Sequence, residues 1–473
     1  MKKGPRRSRL IGALAAASAL VLLLASGAVA AREALRFEAD DTLAEIQEKI
    51  SNYGYQFTVG HTWVFDLPPE DKARLLGRRR PAGPAAKAEP PDMGPLAAHL
   101  GRALPGRFDW RDVDGRSYIG PIKDQGLCGS CYAFGASAAA ECAYNYAMGL
   151  YDESRAEFSE SWIIWCLGRL SPYYPHFYGC DGSDYDYMEL EALTRVGAVP
   201  GSNFPYQEDD PGDCPYSGAA IPFRTWGRIG CNDIEAIKTA ILVYGAVDAS
   251  VWVGSAFEAY TGGIYEDSKK TCDDTDPCYF TSTNHIIALV GWDDNGDPDH
   301  AGYWILRNSW GEGWGEQGYM RLKYTSANVA CEGTYLYFAP TMVSRTPAPD
   351  AAGVDPGAPI TMIFNQAMDA ASLSRALSLT TESVNPARRT VKGTVRLSGD
   401  GLTATFVPER GLDTGRDHRV VISTTATDRD GAALPREYAW NFSTRPQTDD
   451  ARSQSTESLG WFGGCFIQAA AGP

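Results

Sequence analysis

An α+β domain followed by an all-β sandwich is the fold that this 473-residue sequence predicts. Three observations point to it. The stretch Ser130–Tyr146 is alanine-rich with aromatic punctuation and reads as a buried helix. Downstream, the apolar runs His285–Trp292 and Gly302–Leu306 flank Asp293-Asp294-Asn295-Gly296-Asp297-Pro298, whose turn chemistry makes the pair a β-hairpin. Helix first and strands later is an α+β order. From Val343 the texture changes to the short β-prone runs Ile360–Phe364, Thr394–Leu397, Thr403–Val407, His418–Ser423 and Tyr438–Phe442. Turns containing Gly, Pro and Asp separate them, as in a sandwich.

The elements before these are slighter. Lys2, Lys3, Arg6, Arg7 and Arg9 precede an apolar run, Leu10–Ala25, and the small residues Ala28-Val29-Ala30, the pattern of a removable export signal over residues 1–30. Leu43, Ile46 and Ile50 share one face of a short helix, and Tyr55–Val59 follows. Arg78–Pro95 shifts to Arg, Pro, Ala and Gly, which reads as a linker, so that residues 31–103 form a small tethered piece. The expected units after it are 104–340, 341–445 and a polar tail, 446–473.

A formal net charge of −16 argues against a nucleic-acid partner, which asks for a basic face. Hydrophobic content of 44% is enough to bury real cores. Eleven cysteines agree with an exported protein, secreted or held at the cell surface or in the periplasm. Their odd number leaves at least one thiol unpaired, and that is where chemistry is to be sought.

The segment Gln125-Gly126-Leu127-Cys128-Gly129-Ser130-Cys131-Tyr132 carries it. Cys131 sits where the helix begins, and free N–H groups at a helix start favour thiolate; a nearby imidazolium favours it further. A metal site would need further Cys or His at short spacing, and no second CxxC exists. No metal or cofactor is expected, and Asp293–Asp299 lacks the Gly and Glu of a calcium loop. Of six histidines, His61 and His99 precede the domain, His418 follows it and His300 falls in the hairpin loop, whereas His285 opens an apolar strand, a rigid mount for a base; the sixth is His176. His176 has no orienting partner in view. On the returning strand, Asn308 can fix the second ring nitrogen of His285, and Trp310 can shield that bond from water. Gln125, six residues before Cys131, can donate to an oxyanion together with the Cys131 backbone N–H.

These residues match the signature around the papain and cathepsin nucleophile. With Leu104-Pro105, Phe108-Asp109-Trp110-Arg111, Asn284-His285 and Asn308-Ser309-Trp310-Gly311, the chain from about Leu104 to Pro340 resembles a papain-family cysteine peptidase. The resemblance implies a helical left subdomain against a β-rich right subdomain, with a cleft between them. It also implies Cys131 as nucleophile, His285 as base, Asn308 as its orienter, Gln125 in the oxyanion hole, and Gly182, Ser183, Asn284, Ile286 and Trp310 along the substrate. Cys128 would pair with Cys180, Cys166 with Cys214, and Cys331 with Cys272 or Cys278; Cys142 and Cys231 are taken as a further bridge. Three positions depart from the family pattern: Tyr132 for Trp, Ser183 for a second Gly, and Ile286 for a small residue, which would favour smaller apolar side chains in the second pocket. The N-terminal piece resembles the short leader of some bacterial members and would act as the chain's own inhibitor, with Arg78-Arg79-Arg80 as a cleavage site. Val343–Ser443 resembles bacterial Ig-like domains, which space or attach, and Gly463-Gly464-Cys465-Phe466-Ile467 a C-terminal processing motif. The expectation is a secreted endopeptidase made as a zymogen and acting on protein or peptide substrates. The rivals are a catalytically silent surface-binding protein and a transpeptidase using the same residues.

Overall fold

The computed structural model describes residues 37–38, 40–79, 94–185, 187–216, 218–231, 233–267, 283–295, 302–382 and 388–446. The expected export signal, Arg80, Cys272, Cys278, His300 and the tail with Cys465 lie outside them.

Two short helices lead: α1 (Leu43–Tyr53) and α2 (Pro69–Leu75), with strand β1 (Gln56–Val59) between them. Thr42 and Glu45 start α1 with reciprocal capping bonds, and Gly54 ends it at φ 68°. Strand β2 (Arg107–Asp109) precedes α3 (Cys131–Met148), followed by α4 (Met188–Arg195), β3 (Thr225–Ile229), α5 (Ile234–Tyr244), β4 (Val247–Val251), α6 (Ser255–Glu258) and β5 (Tyr260–Tyr265). Then come β6 (His285–Asp293), β7 (Tyr303–Arg307), β8 (Tyr319–Lys323) and β9 (Gly333–Tyr337).

Among the described residues, nine strands make one sheet in the order β1-β5-β8-β7-β6-β4-β9-β3, with β2 pairing β6. The sheet carries one apolar core, which includes Val247, Leu289, Trp292, Trp304 and Trp310. A second core, built mainly from α3, α4 and the turn Trp162–Cys166, holds Cys131, Tyr132, Trp162, Leu190 and Phe223. These are the two expected subdomains. The expected hairpin is present as antiparallel β6 and β7, with Ala288 opposite Arg307.

Helix α3 is buried along nearly its whole length, and its alanines let the neighbouring elements pack close between its aromatic side chains. A Cβ at Gly135 would lie 2.2 Å from Asp248 Oδ1 and 2.7 Å from Ile286 Cγ2, so glycine there lets α3 close on β4 and β6. That contact brings the helix start to the first residues of β6.

The C-terminal domain is a sandwich with a single core that includes Met362, Val420 and Trp440. Its strands are β10 (Met342–Thr346), β11 (Ala351–Val354), β12 (Ile360–Phe364), β13 (Leu377–Glu382), β14 (Arg388–Thr390), β15 (Gly393–Leu397), β16 (Thr403–Pro408), β17 (Asp417–Ile422) and β18 (Tyr438–Thr444), with helix α7 (Ala370–Ala376) beside them. One sheet runs β10-β12-β16-β15, the other β11-β18-β17-β13-β14. The sandwich docks on the first domain. Tyr146 donates from the end of α3 to the Met342 carbonyl at 2.6 Å. The Asn365 carbonyl meets Tyr244 Oη at 3.2 Å and His99 Nε2 at 3.0 Å.

The N-terminal piece is not a loose tether. Strand β1 pairs antiparallel with β5, Trp63 donates to the Trp310 carbonyl at 2.9 Å, and Lys72 meets Glu258 at 2.8 Å. Arg78, expected to open the linker, is buried in the cleft instead, and the exposed Arg79 is tied to Ser183 through its backbone N–H.

Candidate active site

Cys131 opens α3, and its sulfur lies within reach of the Ile286 and Gly77 backbone N–H groups. His285 opens β6 on the opposite subdomain. Continuing the β6–β7 register places Trp310 opposite His285 and Asn308 on its diagonal. The rings of His285 and Trp310 lie 4.8 Å apart, and His285 Nε2 is 2.8 Å from Asn308 Oδ1. Asn308 Oδ1 also accepts from the Ser309 N–H at 2.8 Å. An oxygen in that position makes His285 Nε2 the protonated nitrogen and leaves Nδ1 able to accept a proton. Nδ1 is buried and has no hydrogen-bond partner among the described residues.

Gln125 is fully buried and doubly held. Its Oε1 accepts from Ser309 Oγ at 2.6 Å, which turns the amide nitrogen toward the cleft. There Nε2 donates to the Cys128 carbonyl at 2.7 Å and to the Leu75 carbonyl at 2.9 Å. Leu75 ends α2, so this bond satisfies one of the orphan carbonyls of a helix C-terminus. Ser309 is a positioning residue that the sequence reading missed, although it sits beside Asn308.

Past α2 the N-terminal piece threads the cleft. A Cβ at Gly77 would lie 1.9 Å from the Gly129 carbonyl oxygen and 3.0 Å from Cys131 Sγ. A Cβ at Gly182, whose φ is 97°, would lie 2.2 Å from the Gly77 carbonyl oxygen. Three glycines therefore meet where the segment crosses Cys131. The Ser183 N–H donates to the Gly77 carbonyl at 2.8 Å, and the Arg79 N–H to the Ser183 carbonyl at 2.9 Å, a parallel bridge about Arg78. The Arg78 N–H reaches the Asn284 carbonyl at 3.3 Å. Of the expected substrate-binding residues, Gly182, Ser183 and Asn284 thus touch this segment, Ile286 offers its N–H to the sulfur, and Trp310 packs on the imidazole.

Burial decides the protonation states here. It pushes the Cys131 thiol up to about 12, against the Ile286, Gly77 and Tyr132 N–H groups that favour thiolate. It holds His285 down to about 4, against the Asn308 bond. The sequence reading expected a thiolate and an imidazolium. With the segment in place both partners are neutral, because water that would solvate the charges is excluded. Unfolding returns the ring to an ordinary value near 6.5, so between there and 4 the unfolded chain binds more protons. The stability that neutral His285 contributes is present above 6.5 and lost as the pH falls toward 4. In a Cys131→Ala chain, where no thiol can exchange a proton with the ring, the loss approaches about 3 kcal/mol. Urea unfolding from about pH 7 to 4, compared with Cys131→Ala/His285→Gln, measures it; parallel curves would mean that the ring is not held neutral.

Other expectations need correction. Cys142 is a free, buried thiol and not the partner of Cys231, because its sulfur faces the sheet core. Cys231 and Cys331 are each disulfide-bonded. The bridges Cys128–Cys180 and Cys166–Cys214 are present. His176 does have a partner, Asp184 Oδ2 at 3.1 Å. The Arg78 guanidinium is fully buried, so Arg78 is not open to a protease while the segment is docked, whereas Arg79 is exposed.

Cys131 on the helical subdomain meets the backbone N–H next to His285 on the β-rich one, an arrangement compatible with a cysteine peptidase. Residues 104–339 match the model of the papain family cysteine proteases, and 338–444 that of a bacterial Ig-like domain. A cathepsin L-like proteinase of Fasciola hepatica is 31% identical over 250 residues, covering 52% of this chain and 68% of its own. A cathepsin L-like protein of Caenorhabditis elegans is 28% identical over 285 residues, 59% of this chain and 77% of that one. The crystal structure of the ragweed pollen cysteine protease Amb a 11 in its proform shares the fold, with a TM-score of 0.50 at 20% identity, over 63% of this chain and 87% of that one. The chain belongs to the papain family of cysteine proteases and carries a C-terminal bacterial Ig-like domain.

Proposed function

We propose that the protein is exported as a zymogen and, once its N-terminal segment leaves the cleft, hydrolyses peptide bonds through a thioester. The observation that carries this reading is the segment Leu75–Arg79 lying across Cys131 and sealing it from water. In the opened enzyme the Cys131 proton passes to His285 Nδ1 and the sulfur attacks the peptide carbonyl carbon. The resulting oxyanion takes the Gln125 amide donor now bound to the Leu75 carbonyl, together with the Cys131 N–H. Collapse breaks the C–N bond, and the leaving amine takes the proton back from His285. Water, deprotonated by the same nitrogen, then attacks the thioester and releases the acid and the thiol. Asn308 keeps the ring in the tautomer this needs, and Trp310 covers their bond. Export is supported by the basic and apolar leader and by six disulfide-bonded cysteines among the described residues. The Ig-like domain is assigned no chemistry; spacing or attachment at the cell surface is its proposed role.

Labelling of the processed protein with an epoxysuccinyl thiol inhibitor, with casein cleavage followed alongside, tests the reading. One label per chain with parallel loss of cleavage is expected. A processed chain that neither labels nor cleaves would end it.

A further inference from the structure

A cavity of about 180 Å³ lies where the peptidase domain meets the sandwich. Arg116 and Tyr146 line it from the first domain, and Arg345 of β10, Arg436 and Trp440 of β18 from the second. Each guanidinium lies against an aromatic ring. Arg345 Cζ is 5.6 Å from the centre of the Trp440 ring, Arg436 Cζ 4.6 Å from that of Tyr438 and Arg116 Cζ 4.5 Å from that of Tyr151. A guanidinium stacked by its face keeps its N–H edges for other partners, and the ring holds those edges in place. Gly149, which ends α3 at φ 71°, makes room for one of them: a Cβ there would lie 2.8 Å from Arg436 Cδ and Nη1.

None of the three arginines makes an ion pair among the described residues. Arg345 Nε, Arg436 Nε and Trp440 Nε1 are buried and have no hydrogen-bond partner there. All three are donors, and no buried side-chain acceptor lining the cavity is left over to meet them. The carboxylates that also line it, Asp114 and Glu437, are exposed.

We propose that this junction cavity binds a phosphate or sulfate group through Arg345, Arg436 and Arg116. Buried donors without acceptors are costly, and a set of them converging on one cavity asks for oxygen atoms. Three guanidinium forks offer more donors than the two oxygens of a carboxylate take up, whereas phosphate and sulfate carry more. On a chain of net charge −16 such a group is repelled by the surface as a whole, so the attraction is local to this cavity. The arginines come from both domains, so the bound group also ties the sandwich to the peptidase and raises the temperature at which they come apart.

The alternative is that the stacked arginines only pack the junction. Inorganic phosphate and dextran sulfate, the free ion and a polymer-borne group, are titrated calorimetrically into the uncleaved Cys131→Ala chain at constant ionic strength. One site per chain is expected, with Kd raised roughly tenfold or more in Arg345→Gln and in Arg436→Gln. Arg410→Gln, which removes an exposed arginine of the sandwich away from the cavity, should leave Kd unchanged. Arg345→Lys and Arg436→Lys keep the charge and the stem but lose the fork, and they decide the matter if the glutamine variants do not fold. Phosphate should also raise the thermal midpoint of the parent chain and not that of the variants. Binding of dextran sulfate alone, weakened by the same substitutions, assigns the cavity to a polymer-borne group. Binding of neither probe, or binding that is indifferent to Arg345 and Arg436, overturns the site and leaves the peptidase reading untouched.

Discussion

Casein cleavage by the processed protein should fall about 10⁵-fold or more when Cys131 becomes alanine, with labelling lost altogether. The size of the effect follows from what remains. Gln125, the Cys131 N–H and the cleft still bind substrate, but nothing forms the acyl bond, and water must attack an unactivated amide. The informative control is Cys142→Ala. Cys142 is the other free thiol among the described residues, and burial pushes it up to about 12 as well. It packs in the sheet core away from the cleft, so its removal should cost about 1 kcal/mol of stability and no rate. Activity lost with Cys142 and kept without Cys131 would place the nucleophile elsewhere.

Gly77→Val should switch the uncleaved zymogen on. The valine Cβ would sit 1.9 Å from the Gly129 carbonyl oxygen, far inside contact distance. That oxygen cannot retreat easily: the Gly129 N–H is bonded to the Cys180 carbonyl, and Cys180 is cross-linked to Cys128. The segment must lift away instead. Overpacking costs about 1–3 kcal/mol even where side chains can yield, and here backbone faces backbone. The fraction of open cleft should rise by roughly 100-fold, read as faster uptake of the epoxysuccinyl label by intact zymogen. An unchanged labelling rate would mean that the segment is not the barrier.

Sequence patterns had most to say where the structure is local. The helix at Cys131, the hairpin carrying His285 and Asn308, and several sandwich strands follow from periodicity and turn residues a few positions apart. Strand β11 was missed because Ala-Ala-Gly-Val has little β preference, and it pairs in parallel with distant β18. Helix α7 was missed despite its Asp369 cap, because it spans only seven residues. The larger gap concerned the cleft. Arg78 and Glu332 are 254 positions apart, and an arginine run followed by Pro and Ala is locally indistinguishable from a linker. Only packing could reveal that one of those arginines is buried. The local motif favours ions at Cys131 and His285, and only packing shows that a segment from elsewhere in the chain removes the water those ions need.

The hydrogen bond from Tyr146 to Met342 gives the Ig-like domain a place in the peptidase's own architecture. Helix α3 begins at Cys131 and ends against the neighbouring sandwich, while Tyr244 leans on Asn365 alongside it. The two folds are therefore not beads that evolution could shuffle freely. A descendant that lost the sandwich would need to re-clothe the far end of its catalytic helix, and a graft of this sandwich onto another peptidase would arrive with an unmatched seam.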